Sequence, residues 1–247
     1  MESLAERRAL VTGASSGIGA ATAIRLARGG AHVVLVGRDR GRLERTALAC
    51  PRHELVVLDV RDADAVERAL APLDVDLVVN NAGLALGTDK LPAGDAREWS
   101  TVVDTNLKGV LHVMHAVLPA LARRGRGDHV FLGSVAGRQV YPGGSIYCAT
   151  KHAVRALYET VRLDMAESGV RFTTVDPGMV QTDFSRVRFR GDAERAAAVY
   201  QGVTPLTADD VADAIVWAVT RPAHVNIGEI VMWASAQAST TVIKRRS

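Results

Sequence analysis

The sequence predicts an α/β protein built on one doubly wound parallel sheet of about seven strands in the order 3-2-1-4-5-6-7. Three observations lead there. Short β-branched runs alternate strictly with longer amphipathic stretches along the 247 residues, the pattern of strands joined by crossover helices. The runs are near-continuously apolar, as befits parallel strands covered on both faces. Right-handed crossovers then leave few topologies, of which this order is the natural one.

The candidate strands, in chain order, are ALVT (9–12), HVVLVG (32–37), ELVVLD (54–59), DLVVN (76–80), HVFLGS (129–134), RFTTVD (171–176) and EIVMW (229–233). The helical stretches between them cover 18–28, 40–49, 62–70, 103–123, 149–167 and 208–220. No Pro/Gly/Ser linker and no internal repeat divides the chain, so residues 1–247 read as a single domain. One long irregular segment runs from Pro177 to about Pro205. It leaves the sixth strand at the carboxyl edge of the sheet, where ligands bind in open α/β folds, and reads as a substrate lid. The last residues, from about 236 and including Lys244-Arg245-Arg246, read as a flexible, solvated tail.

Composition excludes several classes. Hydrophobic residues make up 48% and charged residues 23% of the chain, enough apolar matter for a sizeable core. The net charge of +3 is small and no basic stripe is interleaved with aromatics, so nucleic acid is not an expected partner. The two cysteines, Cys50 and Cys148, form no C-x-x-C pair. The charged start MESLAERR is unlike a signal peptide, and no apolar run reaches the length needed to span a bilayer. A cytoplasmic protein with a small-molecule substrate, no membrane and no metal is the expectation.

The first strand runs into Thr12-Gly13-Ala14-Ser15-Ser16-Gly17-Ile18-Gly19, and a helix follows. Glycines at 13, 17 and 19 permit a tight turn and let a pyrophosphate approach the backbone N–H groups of Ser15, Ser16 and Ile18 at a helix N-terminus. The end of the second strand distinguishes the cofactors. An acid there would accept hydrogen bonds from a ribose 2′-hydroxyl. This chain has Gly37-Arg38, and an arginine pairs with a 2′-phosphate in fork geometry, which favours NADP(H). Asp39 would repel that phosphate if it faced the pocket; otherwise it caps the next helix. Asp59 and Val60 end the third strand, where Asp59 meets the adenine edge or caps a helix. At the end of the fourth strand, Asn80 braces the strands while Asn81, Ala82 and Gly83 approach the cofactor.

Tyr147 and Lys151 share a helix face in SIYCATK, 145–151. A nearby ammonium favours the phenolate, and so makes a phenol of ordinary pKa near 10 a usable general acid/base. Ser134 ends the fifth strand and Asn106 lies early in the 103–123 helix. With Gly13–Gly19, Asn80–Gly83 and Asp176-Pro177-Gly178, this set resembles the short-chain dehydrogenase/reductase family over nearly the whole chain. The resemblance implies a Rossmann-type fold and hydride transfer between NAD(P)(H) and a carbonyl/alcohol pair. It implies that Tyr147 exchanges the proton, Lys151 tunes it and holds the nicotinamide ribose, Ser134 orients the substrate oxygen, and Asn106 supports a relay water. Pro177, Gly178, Val180 and Thr182 match positions that cradle the nicotinamide, and a homotetramer is implied, built partly on the helices at 103–123 and 149–167.

Four further stretches, NNAGLALG (80–87), VYPGGSIYCATK (140–151), FSRVRFRGD (184–192) and RPAHVNI (221–227), resemble the NADP-dependent 3-hydroxy acid dehydrogenases. Those enzymes oxidise L-serine, L-allo-threonine and 3-hydroxyisobutyrate. Such a substrate needs its carboxylate held while its alcohol faces Tyr147, a bidentate task that suits arginine. The candidates are Arg138, after the fifth strand, and Arg186, Arg188 and Arg190 in the lid. The same chemistry on another ketone, aldehyde or quinone is the alternative.

Overall fold

In the computed structural model, which describes residues 2–246, strands and helices alternate from the first element. In chain order they are β1 (Arg8–Thr12), α1 (Gly17–Arg28), β2 (His32–Gly37), α2 (Arg40–Ala47), β3 (His53–Val57), α3 (Ala63–Leu70), β4 (Leu77–Asn80), α4 (Ala96–Val103), α5 (Gly109–Arg124), β5 (Gly127–Leu132), α6 (Ser145–Asp164), β6 (Val170–Pro177), β7 (Val180–Gln181), α7 (Phe184–Arg188), α8 (Ala193–Ala198), β8 (Leu206–Thr207), α9 (Ala208–Val219) and β9 (Glu229–Met232). The main sheet is parallel and ordered β3-β2-β1-β4-β5-β6-β9. This is the expected order, with β9 as the seventh strand because β7 and β8 pair separately.

Period-two alternation explains the two cores. In β1, Leu10 faces one side with Val66, Leu70, Val113, Val117, Leu121 and Tyr158 of α3, α5 and α6. Its neighbours Ala9 and Val11 face the other with Leu26, Leu43, Val211 and Ile215 of α1, α2 and α9. The amino edge of the sheet is closed by charge. Arg7 Nε donates to Asp76 at 2.9 Å and its Nη2 to Asp128 at 2.7 Å, while Arg171 Nε donates to Asp128 at 2.8 Å.

Two expectations need correction. The segment 177–205 is not irregular: it contains β7, α7 and α8, with Asp192 capping α8 through Arg195 N–H. Helices this short escape a periodicity reading. The stretch read as one helix over 103–123 begins with a π turn at Asp104–Lys108, preceded by α4. In the stretch expected to be a flexible tail, Arg246 N–H donates to Gly202 O, and the Arg245 guanidinium to the carbonyls of Val199 and Gln201. Gln237 is buried, and its Oε1 accepts from Met179 N–H.

Candidate active site

A cavity of about 620 Å³ opens at the carboxyl edge of the sheet. It is lined from the glycine turn, across the ends of β2, β3 and β4, to Ser134, Tyr147 and Lys151. All the expected cofactor positions but one border it: Gly13, Ser15, Ser16, Gly17, Ile18, Arg38, Asp59, Val60, Asn81, Ala82, Gly83, Pro177, Gly178, Val180 and Thr182, while Gly19 packs behind Gly13.

The glycine turn is shaped as a cradle. Gly13 and Gly17 adopt φ of 68° and 54°, a region that favours glycine. A Cβ at Gly19 would collide with the carbonyl oxygen of Gly13 and with Asn81 Nδ2. Thr12 Oγ1 accepts the N–H groups of Asn81 and Ala82, both at 2.9 Å, and Asn81 Nδ2 donates to Thr12 O at 2.7 Å. The turn after β1 is thus tied to the turn after β4. On the far wall, Thr182 would lie 3.4 Å from a Cβ at Gly17. A dinucleotide fits this groove, since bare backbone faces it where a pyrophosphate would lie.

At the adenosine end, Asp39 does cap α2: its Oδ1 accepts Arg42 N–H at 2.9 Å. Asp59 accepts from Arg61 N, Nε and Nη2, with Arg38 at 3.6 Å, so Arg61 holds the carboxylate expected to meet adenine. Hydrogen bonding and charge from Arg61, then charge from Arg38, overcome desolvation, the largest single influence, and hold Asp59 below the usual carboxylate range. Asp62 caps α3 instead.

At the other end, Tyr147 stands in the first turn of α6 and Lys151 one turn on. The Lys151 ammonium donates to Leu132 O at 2.7 Å and lies 5.9 Å from the Tyr147 ring centroid. Burial lowers the ammonium to about 8, opposed by the charge of Asp176. Burial also raises the Tyr147 phenol above its ordinary value; the Ser134 hydroxyl, then Arg188, work in the opposite sense. Burial is thus the largest influence on the phenol, and it acts against the ionised form that the Lys151 ammonium, 5.9 Å from the ring centroid, favours. Ser134 caps a short turn, accepting from Ala136 N–H at 3.1 Å. Asn106 sits in the π turn, a feature frequent at functional sites. Its Oδ1 accepts Leu84 N–H and its Nδ2 donates to Leu84 O, both at 2.8 Å, and to Thr150 Oγ1 at 3.2 Å. Asn80 Nδ2 donates to Val110 O at 3.1 Å, bracing β4 against α5.

The four candidate arginines separate cleanly. Arg138 is paired with Asp176, through Nε at 2.6 Å, and with Glu229, and does not line the cavity. Arg190 is paired with Glu98 and Asp89. Arg186 is exposed. Arg188 reaches back to the site: its guanidinium carbon lies 5.2 Å from the Tyr141 ring centroid and 6.0 Å from that of Tyr147. It donates to Tyr141 Oη at 2.7 Å and Gly143 O at 3.0 Å, while its Nε–H is buried without a partner. Sequence reasoning missed Leu84, Phe184 and Val187, which give the cavity an apolar wall beside Tyr147, and Arg42 and Asp183 on its rim. The signal for Arg42 was its position one turn after Arg38, on the same rim.

A family model described as short chain dehydrogenase matches residues 7–193. The serine 3-dehydrogenase of Agrobacterium fabrum is 43% identical over 229 residues, covering 90% of this chain and 91% of the relative. The NADP-dependent 3-hydroxy acid dehydrogenase of Salmonella typhi is 40% identical over 245 residues, covering 96% and 99%. The closed form of a serine dehydrogenase complexed with NADP+ superposes with a TM-score of 0.92 at 38% identity, over 97% of this chain and 100% of that one.

Proposed function

The chain belongs to the short-chain dehydrogenase family, and on that premise we propose that it is an NADP(H)-dependent oxidoreductase interconverting a 3-hydroxy acid and its 3-oxo acid or semialdehyde. The observation that carries the substrate class is Arg188. Two hydrogen bonds fix its guanidinium, whose carbon lies 6.0 Å from the Tyr147 ring centroid, and its Nε–H is buried without a partner. A carboxylate two carbons from the reacting alcohol suits an arginine so placed. The relatives that act on serine and on 3-hydroxy acids support the same reading.

When held in this cavity, NADP(H) would supply the hydride acceptor in one direction and the hydride donor in the other. Tyr147 Oη takes the substrate hydroxyl proton on oxidation and returns it to the carbonyl oxygen on reduction. Ser134 Oγ holds that oxygen against the phenol. The Lys151 charge favours the phenolate through space, while Leu132 O fixes the ammonium in place. Asn106 is a positioning residue: its amide grips both backbone groups of Leu84 and so holds the 81–84 turn against the cavity. Gly13 to Gly19 would hold the pyrophosphate and Arg38 the 2′-phosphate.

The apolar wall of Leu84, Phe184 and Val187 favours a second reading, reduction of a neutral ketone, aldehyde or quinone. Initial rates separate the two. NADP and NAD would each be offered with L-serine, L-allo-threonine, 3-hydroxyisobutyrate and neutral secondary alcohols, with Tyr147→Phe as control. NADP-linked turnover of the acids, absent from the control, is expected; turnover of neutral alcohols alone would select the second reading. We further read the protein as a cytoplasmic homotetramer. Both cysteines are unpaired, Leu111 on α5 and Leu163 on α6 are exposed, and no helix among the described residues is long and apolar enough to cross a membrane. Light scattering giving the mass of one chain would refute the tetramer.

A further inference from the structure

The adenosine rim of the cavity carries two arginines, each leaning on a carboxylate. Arg38, at the end of β2, lies 3.6 Å from Asp59. Arg42, in the first turn of α2, lies 2.5 Å from Asp183, just before α7 on the opposite wall. All four residues line the cavity, and all four side chains are at least a quarter exposed. Between the arginines stands Asp39, an acid where a second cation would serve a phosphate. Its Oδ1 is turned into the α2 backbone, accepting Arg42 N–H. The contact that occupies the acid therefore also fixes the turn from which Arg42 projects.

We propose that Arg42 is the second cation of the 2′-phosphate site, taking the place that Asp39 leaves unfilled, so that NADP is gripped by Arg38 and Arg42 from two successive elements. This rests on the NADP reading above. The chemistry is an exchange of like ligands. A guanidinium fork binds carboxylate and phosphate in the same geometry, and a phosphate dianion brings more charge than a carboxylate. Asp183 keeps Arg42 drawn over the groove from the lid side, and its carboxylate is the group a 2′-phosphate would displace. The ion pair is exposed and contributes little to stability, which leaves Arg42 free to change partner.

The test is calorimetric titration of the full chain with adenosine 2′,5′-bisphosphate and with 5′-AMP, two ligands that differ only in the 2′-phosphate. If the wild-type chain binds both equally, the NADP reading itself fails, whatever Arg42 does. If it prefers the bisphosphate, Arg42→Ala is expected to weaken that ligand about tenfold or more and leave 5′-AMP unchanged. Arg42→Lys should recover part of the loss, and Asp183→Asn should keep the discrimination. Equal weakening of both ligands by Arg42→Ala would overturn the proposal, as would no weakening at all. Loss of discrimination in Asp183→Asn would also overturn it, because the ion pair would then act as a strap across the groove.

Discussion

The two edges of the main sheet both carry arginines, and they use them in opposite ways. At the amino edge Arg7 and Arg171 converge on Asp128, whose side chain is 4% exposed, and each finds further acceptors, Asp76 and the carbonyls of Val219 and Arg221. At the carboxyl edge Arg38, Arg42 and Arg190 sit half in solvent, on carboxylates that water also reaches. Buried charges that are paired and hydrogen-bonded are costly to separate. Exposed pairs are screened and exchange partners readily. The same residue type thus holds the sheet together at one end and remains available to ligands at the other. Arg188 lies between these cases, anchored by two bonds yet with a free N–H.

This contrast can be broken from either side. The largest effect is expected at the carboxyl edge: Tyr147→Phe should lower turnover by about 10²–10⁴-fold, with cofactor affinity and melting temperature unchanged. The phenol is raised by burial, so wild-type oxidation should climb with pH while reduction stays level through neutrality; a flat oxidation profile would remove Tyr147 as the proton acceptor. At the amino edge Asp128→Ala leaves two arginines facing no central carboxylate. A loss of about 3–5 kcal/mol is expected in denaturant unfolding, and a loss below 1 kcal/mol, the value of an exposed pair, would erase the contrast between the edges.

Two smaller effects sharpen it. Arg188→Ala should reduce kcat/KM for 3-hydroxy acids by about 10- to 100-fold and leave neutral alcohols unaffected. Equal losses for both classes would make Arg188 a lid anchor only. The smallest effect concerns His129, fully buried on β5, with both ring nitrogens unpartnered and its ring stacked on Phe131 at 4.6 Å between centroids. Burial lowers its pKa from 6.5 to about 3. The unfolded chain takes up a proton that the folded one refuses, so its contribution to stability is intact above pH 6.5 and is lost as pH falls towards 3. His129→Phe should flatten that window and raise stability at neutral pH by about 1–3 kcal/mol, the penalty of unsatisfied buried polar atoms. A steeper acid limb in the variant would contradict this account.

Much of the molecule was legible in its residues. The seven strands of the main sheet, the glycine turn and the Tyr147–Lys151 pair follow from local patterns of period, turn chemistry and helix spacing, the strand order follows from the crossover rule, and Ser134 came with the family resemblance. Asp39 as a cap was also legible, because Asp two or three residues ahead of the N–H it accepts is a local arrangement. The short helices α7 and α8 were not, since five or six residues carry too little periodicity to be read.

What only the tertiary structure decided is which arginine meets which acid. Arg138, Arg186, Arg188 and Arg190 are equal on paper. Folding assigns Arg138 to Asp176 and Glu229, 38 and 91 residues away, and Arg190 to Glu98, 92 residues away. It also set the charge balance at Tyr147 and Lys151, because desolvation depends on what the rest of the chain brings over them. Local pattern governs backbone conformation, whose hydrogen bonds and dihedral preferences lie within a few residues of one another. Burial of the apolar runs is written in their period, but which charges meet, and how far Tyr147 and Lys151 are desolvated, is decided only when distant segments come together.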